Sequence, residues 1–205
     1  MRIIDTLTEK SWLKDQGQAR NLHDGRTFSL PPAKLALRVF LAVATVVFTL
    51  SVITYAHRMG HTDWQTLPHL WLLWLNTAIL ILSSVGLQWA KVAAHRGQIG
   101  DVKLGLLAGG GFAFAFLAGQ IMAWQQLAAA GYFTASNAAN AHFCLLTALH
   151  GVHLLGGLVA WRRATAKVWS GAEIAKVRLS VELCAVYWHY LLVIWLILFV
   201  LLLLT

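Results

Sequence analysis

Five apolar runs separated by short polar stretches constrain this chain more than any other feature of it. Each is long enough to cross a bilayer, at about 1.5 Å per helical residue against about 30 Å of hydrocarbon. Lipid offers no partner to a bare backbone N–H or C=O, so runs of this kind fold as helices that satisfy their own backbones. The spacing predicts spans over about 34–56, 70–90, 104–127, 142–161 and 179–204. The expected fold is an all-α membrane protein, a bundle of five transmembrane helices. Residues 1–33 are polar, mixed in charge and closed by Pro31 and Pro32. They read as an N-terminal tail ahead of a single membrane domain over 34–205. No signal peptide is expected, because the first run follows a long polar stretch and exceeds a signal core in length.

The basic residues orient the bundle. Fifteen of the 16 Lys and Arg lie in the tail and the start of the first span, the second loop and the fourth loop, whereas Arg58 alone lies in the first loop and none in the third. The positive-inside rule therefore places the N-terminus in the cytoplasm and the C-terminus outside. The net charge of +8 is spread through these loops instead of forming one soluble face, which argues against a nucleic-acid surface. Cys144 and Cys184 sit inside apolar runs with no CxxC or CxxCH spacing, so zinc, thiol redox and c-type haem attachment are not indicated. Trp64, Trp71, Trp89, Trp124 and Trp161 near the run ends suit interfacial anchoring.

The fourth run, HFCLLTALHGVHLLGGLVAW, carries three histidines. His142, His150 and His153 fall within an arc of roughly 80°, with Gly156 and Gly157 on or beside it. Lipid penalises such a face, so it should meet other helices or a protein-lined cleft holding headgroups or water. In the fifth run Glu182 and His189 lie about 20° apart in azimuth and about 10 Å apart along the axis. A carboxylate at such depth marks a proton path, an ion site or a headgroup site, or else caps the helix start. The H-x-x-H pair His150 and His153 has a spacing compatible with a metal, and His150 with His189 could sandwich a haem; packing histidines are the plainer reading. Asn76 and Ser83 share one face of the second run, with Gln88 about 120° away. Gly105 and Gly109, followed by Gly110 and Gly111, let a neighbouring helix approach the third run. No phosphate loop, activated nucleophile or carboxylate pair is present.

Four stretches in order resemble the subunit III family of haem-copper terminal oxidases, in its short five-span bacterial form. The second run is similar to the family's LNTxxLLxSSxTxxWA at Leu75, Asn76, Thr77, Ser83, Ser84, Trp89 and Ala90. The third resembles GQxxAWxxL at Gly119, Gln120, Ala123, Trp124 and Leu127. The fourth resembles FYxxTGxHGxHVxxG at Phe143, Thr147, His150, Gly151, His153 and Gly157. The fifth resembles ExxxxYWHFVDVVW at Glu182, Tyr187, Trp188, His189 and Trp195. Three family acids are missing: Val43 and Ala44 replace a Ser-Glu pair, Leu192 an Asp, and Gln88 the Glu of many bacterial members.

The resemblance implies a non-catalytic subunit of a cytochrome c or quinol oxidase in aerobic respiration, packed beside the haem-copper subunit I. It implies no haem or copper in this chain, bound phospholipid, and support for the stability and proton supply of the complex. On this reading His150, His153, Glu182 and His189 line a cleft between the fourth and fifth spans. An accessory subunit of a nitric oxide reductase is an alternative that the missing acids leave open. A stand-alone b-type cytochrome is an alternative of another class.

Overall fold

A computed structural model describes residues 32–58, 71–129 and 138–203, without the side chains of 58 and 138–143. The tail over 1–31, Trp64 and the His142 side chain fall outside the described residues. Five helices succeed one another: α1 (Pro32–Arg58), α2 (Trp71–Arg96), α3 (Ile99–Ala129), α4 (Ala138–Trp169) and α5 (Ile174–Leu203). All five are long and apolar enough to cross a membrane, and no strand occurs among the described residues. The helices outrun the apolar spans at several ends, because the polar residues there keep a helical backbone beyond the hydrocarbon. Helix α1 starts at Pro32, two residues before the expected span, since proline is tolerated in the first turn where no N–H bond is lost. The chain divides into two compact units at Arg38 and Val39. The first contributes the opening turns of α1 to the described residues, and the second holds the remainder of α1 and the other four helices.

Within that second unit, α2, α3, α4 and α5 pack in sequence and α5 returns to α2. Two turns at one end tie them into hairpins. Gly97 has a φ of 74° and Gly171 a φ of 68°, a left-handed region that costs a β-carbon but not glycine. Gly97 N–H bonds Ala94 O at 3.3 Å and Gln98 N–H bonds Ala93 O at 3.0 Å. Gly171 N–H bonds Val168 O at 3.4 Å and Ala172 N–H bonds Lys167 O at 3.1 Å. Both sets satisfy carbonyls that a helix end would otherwise leave bare. The hairpins meet where Arg178 donates to the His95 carbonyl at 3.2 Å. Lys176 and Glu173 pair at 3.3 Å nearby, but both are exposed and such a pair contributes little.

Lipid is as apolar as leucine, so helices associate in it by close packing and hydrogen bonds, not by hydrophobic exclusion. The α2–α3 contact is built on that rule. A β-carbon at Gly105 would stand 2.8 Å from both Gly86 O and Ala90 N. Ser83 Oγ, on the same seam, donates to Gly109 O at 2.7 Å. Helix α3 meets α4 where Trp161 Nε1 donates to Leu106 O at 2.8 Å, its ring lying over Gly110. Helix α4 meets α5 where Tyr187 OH donates to His153 O at 2.8 Å and the Trp188 ring covers Gly157. Trp124 and Trp161 therefore turn inward as interhelical donors, whereas Trp71 and Trp89 stay exposed as interfacial residues do. The reason is the acceptor: each of the two inward indoles finds an oxygen on a neighbouring helix that lipid could not supply.

Helix α1 joins through side chains alone. Thr45 Oγ1 and Tyr190 OH share a hydrogen bond at 3.1 Å, and Phe48 and Tyr55 pack with Leu146, Ile194 and Leu198. Most of α1 remains exposed.

Alanine is the better helix former, yet Gly105→Ala should lower the unfolding midpoint of the purified protein in detergent, by an overpacking cost of about 1–3 kcal/mol. Gly100→Ala, where a β-carbon meets nothing within 4 Å, should hold or raise it.

Candidate functional site

The polar groups that the sequence places inside its spans divide into an interior seam and a groove on the membrane face. The seam begins with Asn76 on α2 and Gln120 on α3, both buried. Asn76 Nδ2 donates to Gln120 Oε1 at a long 3.5 Å, while Asn76 Oδ1 lies against Gly119, where any β-carbon would collide with it. Next along α2, Thr77 Oγ1 donates to Leu73 O at 2.8 Å and accepts from Trp195 Nε1 at 3.0 Å, binding α5 to α2. Trp195 in turn packs against Phe116 and His150, with ring centroids 4.9 and 5.3 Å away. Trp124 Nε1 donates to Thr147 Oγ1 at 3.1 Å, binding α3 to α4 one turn from His150.

His150 is 1% exposed and boxed by Phe48, Phe116 and Trp195. Neither of its ring nitrogens has a hydrogen-bond partner among the described residues. Asn76 Oδ1, Gln120 Nε2 and Trp188 Nε1 share that condition. His153 lies on the α1 side of α4. Its Nδ1–H donates to Leu149 O at 2.8 Å, and its ring packs at a tilt of 53° against Phe48 with centroids 5.0 Å apart.

His189 looks elsewhere. Its Nδ1–H donates to Ala185 O on its own helix, which leaves Nε2 for the groove between α5 and α2. The groove has a volume of about 480 Å³ and is lined by Ser84, Val85, Gln88, Trp89, His189 and Leu192 among others. Two of the three positions that depart from the family's acids, Gln88 and Leu192, therefore meet in one place. Ala44 is buried on α1. Glu182 is half-buried on the same side of α5 as His189, about 10 Å nearer the hairpin turns.

The expected single cleft lined by His150, His153, Glu182 and His189 is thus not what the fold builds. Tyr187 and Trp188 occupy the face of α5 that meets α4, and His189, about 100° further round, is turned to α2. Trp195, which packs on His150, lies about 120° round α5 from His189, so the two histidines look into different spaces. No group of three His, Cys, Asp or Glu side chains suited to a metal occurs among the described residues. Gly151 has open space around it, whereas Gly157 sits beneath Trp188. Cys144 is a half-buried free thiol and Cys184 a buried one. Sequence reasoning missed the groove, because only the packing of α5 on α2 brings Ser84 and His189 together. It also missed the Thr77–Trp195 bond, although a threonine and a tryptophan inside two spans were its available signal.

Comparison with known proteins gives the same grouping. The family model for cytochrome c oxidase subunit III matches residues 37–204. Cytochrome bo(3) ubiquinol oxidase subunit 3 of Pseudomonas aeruginosa is 26% identical over 203 residues, covering 96% of each chain. Cytochrome c oxidase subunit 3 of Thermostichus vulcanus is 29% identical over 177 residues, 82% of this chain and 85% of that one. The probable cytochrome c oxidase subunit 3 of Nocardia farcinica is 31% identical over 132 residues, 60% and 61% of the two chains.

Two substitutions test the seam by chemical denaturation in detergent. Thr77→Val keeps the shape but strands Trp195 Nε1, at a cost of about 1 kcal/mol. His150→Phe removes two unpartnered nitrogens from an aromatic box, so stability should hold or rise; a marked loss would mean that bound water satisfies the imidazole.

Proposed function

Because the chain belongs to the cytochrome c oxidase subunit III family, we propose that it serves its haem-copper oxidase without carrying out the chemistry itself. It is a multi-pass membrane subunit of an oxidase complex. The observation that carries the proposal is the family match over residues 37–204, which takes in all five spans. The distribution of polar groups supports the non-catalytic role. Inside the bundle they hold helices together, through Ser83, Thr77, Trp124, Trp161 and Trp195, instead of converging on a reacting atom.

In this reading the principal partner is subunit I, which holds the haem and copper, and the membrane is the bacterial inner membrane. The N-terminus lies in the cytoplasm and the C-terminus outside, a reading that the distribution of basic residues supports. The two hairpin turns then face the cytoplasm, with Lys91, Arg96, Lys103, Lys167, Lys176 and Arg178 around them. That end suits a zwitterionic phospholipid headgroup, with its phosphate on the basic side chains and its ammonium toward Glu182. Glu182 stands about one helical turn beyond Arg178 and supplies the polar floor of the headgroup site. His150 and His153 serve the bundle as packing groups between α4, α3 and α1. Residues 1–33 form a cytoplasmic tail and 34–205 the membrane domain.

Purification of the tagged chain from native membranes in mild detergent tests the assignment. A large haem- and copper-bearing subunit should copurify, and recovery of the chain alone would overturn it. Glu182→Gln should lower the phospholipid retained per complex and shorten its active lifetime during turnover; unchanged values for both would remove Glu182 from the lipid site.

A further inference from the structure

The membrane-facing stripe of α2 is not uniformly apolar. Ala78, Ile81, Val85, Gln88 and Val92 alternate steps of three and four residues, and every one of them is exposed. That spacing is the seam by which one helix tracks another, and a single amide in such a seam fixes register. Apolar side chains are what lipid itself requires, so they alone imply no partner. The polar groups beside them do. Ser84, 3% exposed, lines the groove along this stripe with its Oγ bonded to nothing among the described residues. Unlike Thr77, it does not donate to the carbonyl one turn back on its own helix. His189 lines the other wall, and Gln88, exposed, stands one turn along α2 from Ser84.

Depth decides what chemistry can reach these groups. Ser84 and His189 each stand about 16 Å along their helices from the His95–Arg178 contact at the bundle's basic end. Hydrocarbon is about 30 Å thick, so both lie near its middle, beyond the reach of a headgroup anchored at that end. A hydroxyl and an imidazole at that depth, with a carboxamide about 6 Å nearer the basic end, are stabilised by hydrogen bonds from another membrane-spanning element. We infer that the α2–α5 groove is the docking seam for a transmembrane helix of a partner oxidase subunit, which brings a hydrogen-bonding side chain to Ser84, Gln88 and His189.

This inference rests on the accessory-subunit reading and adds the face by which the subunit docks. The partner helix runs along Ala78 to Val92 with its polar residue at the level of Gln88. A photo-crosslinking residue at Val85 or Val92, irradiated in the intact complex in native membranes, tests it. Mass spectrometry should find an adduct with a transmembrane peptide of a partner subunit from both positions and none from Val46, an exposed position on α1. Gln88→Leu should reduce the amount of this subunit retained after detergent extraction several-fold, whereas Val46→Leu should not. The wild-type crosslinks do not depend on how the Gln88→Leu chain folds. Adducts with lipid or quinone alone at Val85 and Val92, or partner adducts at Val46 instead, would overturn the seam while leaving the oxidase assignment in place. A chain that copurifies with no oxidase subunit would overturn both.

Discussion

The bilayer's inability to hydrogen-bond is the constraint on which the rest of this structure depends. It forces every crossing segment into a helix. It also removes the hydrophobic force that would press those helices together, leaving close backbone approach and polar contacts to do so. The α2–α3 seam meets that demand with glycine against backbone, and Ser83 adds a hydrogen bond to Gly109 O. The same constraint recruits indoles. Trp124, Trp161 and Trp195 each present a single donor to an oxygen on another helix, so a bulky side chain fills space and secures a partner at once.

Where no such contact forms, the helix stands apart. Helix α1 has neither a glycine seam nor an indole donor to its neighbours, and it is held by aromatic rings and by Thr45 with Tyr190. The imidazole of His153 belongs to that attachment, since Phe40 and Phe48 both pack on it. His150 lies deeper, where its ring contributes shape and its nitrogens remain unpartnered among the described residues.

Much of the bundle was legible in the sequence because length and hydropathy alone decide what crosses a membrane. All five spans, the close approach at Gly105 and Gly109, and the division of α2 into a buried Asn76–Ser83 face and an exposed Gln88 face come from helical period. Boundaries were less legible, as at Pro32 and in the extensions of α4, because polar residues continue a helix once lipid no longer selects against them. The site was legible only in part. Azimuth places His150 and His153 on one face of α4, and Glu182 and His189 on one side of α5. It does not say how far α5 is rotated against its neighbours, and that rotation, set where Tyr187 and Trp188 pack against α4, sends His189 to α2. The inward turn of Trp124 and Trp161 was hidden for the same reason, since an indole near a helix end suits a headgroup or a buried oxygen equally well.

The turn between α2 and α3 contains only Gly97 and Gln98. With so short a tether, neither helix can occupy the bilayer for long without the other beside it. The Gly86–Gly105 contact lies within about 10–16 Å of that turn, where the two helices have little freedom to separate. Such a hairpin carries Ser83 and Asn76 together on its inner side. Helices α4 and α5 then find a preformed surface on which to assemble, whereas α1, delivered first, meets its contacts only when those two arrive.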